Sequence, residues 1–192
     1  MSVQKLTTSI QKIKNIKKSL VTNKVCLFAT YIALSWVYAI CSQIIIPLPF
    51  NLVPLSIQPA PLFLASFLFG WHAVNAYVLY LVQGACGLPF FSGLQGGLVR
   101  LLGPTGGYLI GFGLGMALIA ICKKYTHQSM LKTLILLLVA EATAFTFGLF
   151  QLAWFIPTDK LLAAGLYPFL VGDFVIKIIM VLSCITIKRR TR

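Results

Sequence analysis

Six long apolar runs constrain the fold of this chain more than any other feature. Most of them approach the roughly 20 residues that a helix needs to cross the hydrocarbon core of a bilayer. They cover about residues 25–46, 55–70, 73–91, 106–122, 131–154 and 166–187. Only 10% of the residues are charged, against about 25% in soluble domains. The sequence therefore predicts an all-α membrane protein, a bundle of six transmembrane helices.

The basic residues predict how this bundle is oriented. Thirteen of the Lys and Arg residues lie in three segments that an inside N-terminus would place together: 1–24, 123–132 and 188–192. The opposite connections hold only Arg100 and Lys160. Because Lys and Arg accumulate on the cytoplasmic side, both termini are expected there. We divide the chain into a basic cytoplasmic segment, 1–24, and a transmembrane domain, 25–192. The net charge of +13 does not predict nucleic-acid binding, because the basic residues punctuate apolar runs and form no aromatic-rich face.

The outer connections between helices 1 and 2 and between helices 3 and 4 are unusual. The first, around 47–54, is rich in proline, and the second, around 93–107, is rich in glycine. Both are more apolar than a merely solvated loop. Irregular backbone at membrane depth is tolerated where it packs in protein or lines a cavity. We therefore expect long capping loops that fold back over the outer end of the bundle.

A carboxylate and an ammonium group interrupt the sixth apolar run. Asp173 and Lys177 are four residues apart and so share one helix face. Charges inside a membrane span are costly and usually face a partner or a polar cavity. The residues alone leave two interpretations open, a self-neutralising structural pair and a binding site for a polar solute. Glu141, in the middle of the fifth run, is a structural or partly protonated acid or, less expected, a proton carrier.

Neither metal nor redox chemistry is indicated. The five cysteines form no CxxC or Cys/His pattern, and free cysteine behaves as a small hydrophobe in apolar segments. No P-loop is present, so this chain is not expected to hydrolyse ATP. An intramembrane acyl- or lipid-modifying enzyme is a second class to consider, but no nucleophile–base constellation supports it.

The outer connections and the sixth run carry a family resemblance. The matching strings are Pro47-Leu48-Pro49-Phe50 with Val53-Pro54-Leu55-Ser56-Ile57-Gln58, Gly84-Ala85-Cys86-Gly87-Leu88-Pro89-Phe90-Phe91, Gly96-Gly97, Gly103-Pro104-Thr105-Gly106-Gly107-Tyr108-Leu109-Ile110-Gly111-Phe112, and Pro168-Phe169-Leu170-Val171-Gly172-Asp173 with Lys177. In this order they resemble the motifs of the BioY family of biotin transporters, over about residues 25–187.

The resemblance implies a six-helix substrate-binding (S) component of an energy-coupling-factor transporter. Such a protein captures biotin from the outer side of the bacterial inner membrane. Its partners are a transmembrane coupling protein and a pair of ABC ATPases, and it has no cofactor of its own. Some relatives work without these partners, so stand-alone transport stays open, as does transport of another vitamin or a biotin relative. Ala29 and Ala33 form a small-xxx-small pair, at the place where the group docks the coupling protein.

The chemistry of biotin suits the charged pair in the sixth run. A buried ureido ring needs an acceptor for its N–H groups and a donor for its carbonyl oxygen. Asp173 can accept and Lys177 can donate. The family pattern has its Lys three residues after the Asp, a position that is Ile176 here. Because the third and fourth residues share the face of the first, Lys177 is expected to take the same role.

Four residues in or just after the outer connections complete the predicted biotin site. Gln58 and Gln95 carry amides that both donate and accept hydrogen bonds, although either amide can instead cap a loop. Tyr108 can pack on the biotin rings or be an ordinary interfacial tyrosine. Arg100 can clamp the valerate carboxylate or contact lipid headgroups.

Overall fold

Helices make up most of the part of the chain that the computed structural model describes, which is residues 24–46, 55–56, 58–126 and 129–167. In chain order they are α1 (Lys24–Ser42), α2 (Pro59–Phe69), α3 (Trp71–Ala85), α4 (Leu98–Leu102), α5 (Gly106–Cys122), α6 (Met130–Leu152) and α7 (Thr158–Gly165). A 3-10 turn, Lys123–Thr126, extends α5. Two-residue strands β1 (Ile45–Ile46) and β2 (Leu55–Ser56) pair antiparallel, Ile45 opposite Ser56.

Proline and glycine set several helix ends. Pro59 occupies the first position of α2, where its fixed φ suits a helix and its missing N–H costs nothing. Gly70 separates α2 from α3 with φ of 61°, a left-handed conformation that glycine adopts without a steric penalty. The third apolar run therefore forms a helix only to Ala85, and not to residue 91, because Gly87 (φ 102°) and Pro89 follow.

Small residues let α5 and α6 pack closely. A Cβ added at Gly111 would lie 2.6 Å from Ala144 Cα, and one at Gly115 would lie 2.6 Å from the carbonyl oxygen of Ala140. The two glycines and the two alanines are each four residues apart, so each pair shares one helix face. Small faces of this kind allow backbones to approach in lipid, where dispersion replaces the hydrophobic effect as the attraction.

Two groups of contacts define the ends of the bundle. At one end, which we call the lysine end, Lys123 Nζ donates to the carbonyl oxygen of Phe67, 3.1 Å away, beside Gly70. At the opposite end, the loop end, the side chains of Gln43 and Gln151 hold the 90–103 connection. Consecutive long helices run in opposite directions between the two ends. Short connections at the lysine end, such as Gly70, require this antiparallel order.

The long apolar helices agree with a membrane fold. Within the described ranges, three helical segments are long and apolar enough to cross a bilayer: Lys24–Ser42, Gly106–Thr126 and Leu131–Leu152. The all-helical class is thus confirmed, apart from the two-residue β pair. The sixth apolar run lies almost entirely outside the described residues, as do the basic N-terminal segment and the C-terminal tail. The six-helix count and the side of the termini therefore stay predictions.

Candidate functional site

Gln58 begins α2 at the loop end and is almost completely buried, at 2% exposure. It is the N-cap residue of α2, immediately before Pro59. The amide nitrogen Nε2 donates to the hydroxyl of Tyr80 on α3, over 2.9 Å. This bond orients the amide of Gln58, the group that is predicted to contact the ligand, so the amide has a fixed direction inside the bundle.

A buried aromatic cluster surrounds that tyrosine. The ring of Tyr80 stacks on Tyr77 and Phe90, with centroids 5.4 Å and 6.2 Å away, and meets Phe91 edge-on at 5.7 Å. Tyr38 of α1 closes the cluster with an edge contact to Tyr77 at 6.0 Å. Tyr77 donates its hydroxyl hydrogen to the carbonyl oxygen of Leu109 in α5, over 2.8 Å. The cluster joins α1, α3 and α5 to the loop that follows α3, and so gives Gln58 a rigid support.

Gln95 lies on a tight hairpin of that loop. The backbone of Phe91 and Gln95 exchanges two hydrogen bonds, of 2.9 Å and 3.2 Å. The side chain of Gln95 is exposed. The N–H of Gly97 then donates to the carbonyl oxygen of Gly84, over 2.7 Å, which ties the end of the hairpin to α3. Through Phe91 and Tyr80, the structure connects Gln95 to Gln58.

Arg100 follows on the short helix α4 and is half-buried. Burial lowers its pKa, yet a guanidinium starts so far above neutral that it stays charged. Its helix is held by Gln151 of α6, whose Nε2 donates to the carbonyl oxygens of Leu101 and Gly103 over 2.9 Å and 2.7 Å. Arg100 therefore presents a positive charge from a fixed segment five residues after Gln95.

Tyr108 is separated from the Gln58 cluster. Its hydroxyl donates to the carbonyl oxygen of Gly165 at the end of α7, over 2.8 Å. The ring is buried, lies against Gly148 and meets Phe145 edge-on at 6.2 Å. Tyr108 thus fastens α5 to α6 and α7, and its contact with a ligand stays a prediction.

The predicted docking pair lies on an open face of α1. Ala29 and Ala33 are exposed, as is Trp36, at 52%. Tyr38 and Ala39 point into the core instead. The face that carries the pair is therefore available to lipid or to another helix.

Of the three charged residues that the sequence analysis singled out within apolar runs, the structure describes one. Glu141 is buried in the middle of α6, at 6% exposure. Asp173 and Lys177 lie outside the described residues, so their predicted roles are untested. In the ranges that the structure describes, no group of three His, Cys, Asp or Glu residues is placed to bind a metal ion.

Gln43 and Gln151, which hold the loop, were not predicted from the sequence. Gln43 lies one residue after α1 and contacts the 90–94 backbone, and Gln151 holds α4 as described above. Both lie near the end of an apolar run. A polar side chain is expected there, at the membrane interface, and it does not by itself indicate a specific contact. Their partners are backbone groups about 50 residues away, which no local pattern reveals.

Known proteins resemble this chain in sequence. A model of the BioY family matches residues 9–192. This range begins well before the first of the motifs quoted above, at Pro47. The probable biotin transporter BioY of Pyrococcus horikoshii is 34% identical over 79% of this chain and 88% of its own length. The biotin transporter BioY of Thermotoga maritima is 30% identical over 75% of this chain and 86% of its own length.

A solved structure resembles it in fold. The 2.1 Å crystal structure of the S-component for biotin from an ECF-type ABC transporter superposes with a TM-score of 0.75 and 26% identity. The match covers 86% of this chain and 92% of that one. Together with the family match over nearly the whole sequence, this shows that the chain belongs to the BioY family.

Proposed function

We propose that this protein takes up biotin across the bacterial inner membrane, in which it is a multi-pass protein. It binds biotin from the outer side as the S component of an energy-coupling-factor transporter. The observation that carries the proposal is the likeness to a biotin S-component over nine-tenths of that chain. Similar proteins are named as biotin transporters. Their names support a function in transport instead of catalysis.

The loop end carries three of the residues that we propose to bind biotin. Gln58, Gln95 and Arg100 lie on one continuous assembly, joined by the aromatic cluster and by the backbone between Phe91 and Gly103. An amide that donates and accepts suits a ureido ring, and a guanidinium suits a carboxylate. Rigid aromatic support reduces the loss of conformational freedom when a ligand binds.

Each predicted residue is given one role. Asp173 accepts from the ureido N–H groups, and Lys177 donates to the ureido carbonyl. The amides of Gln58 and Gln95 supplement these two residues, because an amide can donate to the second lone pair of the ureido carbonyl oxygen or accept from an N–H group. Arg100 binds the valerate carboxylate. A sixth residue, Tyr108, packs near the ligand and keeps α5 against α6 and α7.

Equilibrium binding of biotin to the purified protein tests the proposal. We expect saturable binding, with unchanged biotin recovered afterwards. Asp173→Asn removes a charged acceptor that is worth about 1.5–3 kcal/mol, which corresponds to a loss of affinity of about 10- to 150-fold. Asp159→Asn makes the same chemical change at an exposed position of α7 and should leave affinity unaltered. A folded protein that does not bind biotin saturably would refute the proposal.

A competition panel then defines the ligand. Lipoate, biotin precursors and other vitamins compete with labelled biotin, and tighter binding of any of them would reassign the transporter. Arg100→Gln should weaken biotin but leave its neutral amide unaffected, because only biotin has a carboxylate. Equal loss for both ligands would remove Arg100 from the carboxylate site.

The partners are proposed to be the coupling protein and its pair of ABC ATPases. Ala33→Trp places a bulky ring on the exposed face of α1 and should prevent co-purification with the coupling module, while biotin binding continues. Ala142→Trp, at an exposed alanine of α6, is the matched control. Uptake of labelled biotin by cells with and without the module shows whether this protein also works alone.

A further inference from the structure

One residue of the loop has a backbone conformation that its side chain disfavours. Leu94 has φ of 56° and, among the described residues, is the only one other than glycine with a positive φ. Bulky side chains rarely adopt this left-handed region. Leu94 is 70% exposed, so burial of its side chain does not compensate. Strained residues of this kind persist where their surroundings determine them, often at functional sites.

The backbone N–H of Leu94 is bonded by the side chain of Gln43, just beyond the end of α1. Gln43 Oε1 accepts a hydrogen bond from the N–H of Leu94, over 2.9 Å. Its Nε2 shares its two hydrogens among four acceptors: the carbonyl oxygens of Phe90 and Phe91, at 3.2 Å and 3.1 Å, and on its own segment the carbonyl oxygen of Ala39 and Ser42 Oγ, at 3.1 Å and 2.9 Å. The adjacent Ser42 also donates to the carbonyl of Phe90, over 2.5 Å. One amide therefore bonds both sides of the hairpin, in place of a neighbouring strand.

Leu94 immediately precedes Gln95, whose backbone closes the hairpin on Phe91. A change of φ at Leu94 would rotate the peptide that leads into Gln95 and would break the closing pair. Gly93, with φ of 76°, gives the turn no stiffness of its own. The direction in which Gln95 leaves the hairpin consequently depends on Gln43.

We propose that Gln43 is a positioning residue for biotin capture. It holds Leu94 in its strained conformation and so presents Gln95 to the ligand before binding. The proposal rests on the proposed function and extends it to a residue outside the predicted binding set. Preorganisation lowers the ordering cost of binding, and its loss is expected mainly in the rate of dissociation.

The test compares Gln43→Ala with Gln83→Ala. Gln83 is a matched control because its side chain also makes a tertiary hydrogen bond, its Oε1 accepting from Ser35 Oγ of α1 over 2.8 Å, but to a helix instead of the hairpin. We expect Gln43→Ala to speed biotin dissociation about tenfold or more, and Gln83→Ala to change it less than twofold. Thermal midpoints report any general destabilisation, which both variants would share. Equal dissociation rates for the two variants would overturn the proposal.

A rescue separates positioning from a merely structural role. Glycine adopts a positive φ without strain, so Leu94→Gly in the Gln43→Ala background should recover a measurable part of the lost residence time. If Gln43 served only stability, Leu94→Gly would leave the dissociation rate of Gln43→Ala unchanged or increase it, and the proposal would fail.

Hydrogen exchange of the ligand-free protein makes this test independent of biotin. Gln43→Ala should speed amide exchange at Leu94 and Gln95 at least tenfold, while Gln83→Ala should not. Unchanged exchange at both amides would refute the positioning role even if biotin binds. Absence of biotin binding by the wild-type protein would instead refute the proposed function.

Discussion

Thr105→Val should stabilise the ligand-free protein, which is the opposite of what its position in the sequence suggests. Thr105 immediately precedes α5, where a threonine normally caps the helix and its loss costs about 0.5–2 kcal/mol. Here the side chain makes no capping bond, and its backbone is near the α region at φ −104°, ψ −6°. Capping requires an extended backbone at this position, so the hydroxyl cannot reach the first-turn N–H groups.

The magnitude follows from burial. Thr105 is 8% exposed, and its Oγ1 is the buried side-chain atom without a hydrogen-bond partner in the described part of the chain. Leaving such a group unsatisfied costs about 1–3 kcal/mol. Valine has nearly the same shape, so the substitution removes the polar atom without opening a cavity. The expected gain is about 1–3 kcal/mol, at about 2–4 °C in the thermal midpoint for each kcal/mol in a domain of this size.

Thermal unfolding of the purified protein in detergent, followed by tryptophan fluorescence, measures this gain. Thr133→Val is the matched control. Its hydroxyl is also buried but donates to the carbonyl oxygen of Ser129, over 3.1 Å, so the variant should lose about 0.5–1.5 kcal/mol. A fall in midpoint for Thr105→Val, equal to that of Thr133→Val, would show that the Thr105 hydroxyl is satisfied and would refute the reasoning.

Two further substitutions test the packing and the loop. Gly148→Ala should cost about 1–3 kcal/mol in the same unfolding assay, because the new methyl group would overlap the ring of Tyr108. Gly113→Ala would place its Cβ 3.3 Å from the ring of Tyr77, which requires a much smaller shift, so it should cost less; equal effects would contradict this. Gln151→Leu removes the side-chain donor that holds the carbonyl oxygens of Leu101 and Gly103, although Gly103 keeps the N–H of Gly106. It should therefore release Arg100 and weaken binding of biotin more than that of its neutral amide. A uniform loss for both ligands would argue against that route.

The sequence predicted the helices better than the contacts that hold the site. Apolar runs of about 20 residues are a strong signal, and α5 and α6 begin and end within about two residues of the expected positions. The third run was predicted six residues too long, because a Gly- and Pro-containing apolar loop has the same hydropathy as a helix. The short helix α4 gave no signal, since five residues are too few to show a period.

The motifs singled out candidate site residues, but they did not indicate which contacts position them. Gln58 was predicted to bind biotin from the first-loop motif, and that contact stays a prediction; its partner Tyr80 was not predicted, because the two residues lie 22 positions apart. Tyr108 was expected near the ligand, while its hydroxyl bonds Gly165, 57 residues along the chain. Such pairings depend on how helices cross, and hydropathy alone does not determine crossing.

Helix α1 has a consequence that reaches beyond either of its ends. It spans 19 residues, about 28 Å. Ala29 and Ala33 lie near its start, and Gln43, which bonds the hairpin, lies just beyond its last residue. If a partner that docks on the alanine face tilts the helix, Gln43 moves with it. Thermodynamic linkage then makes the effect reciprocal: whatever factor docking applies to biotin affinity, bound biotin applies to docking affinity. A loaded and an empty transporter would thus compete unequally for a shared coupling module.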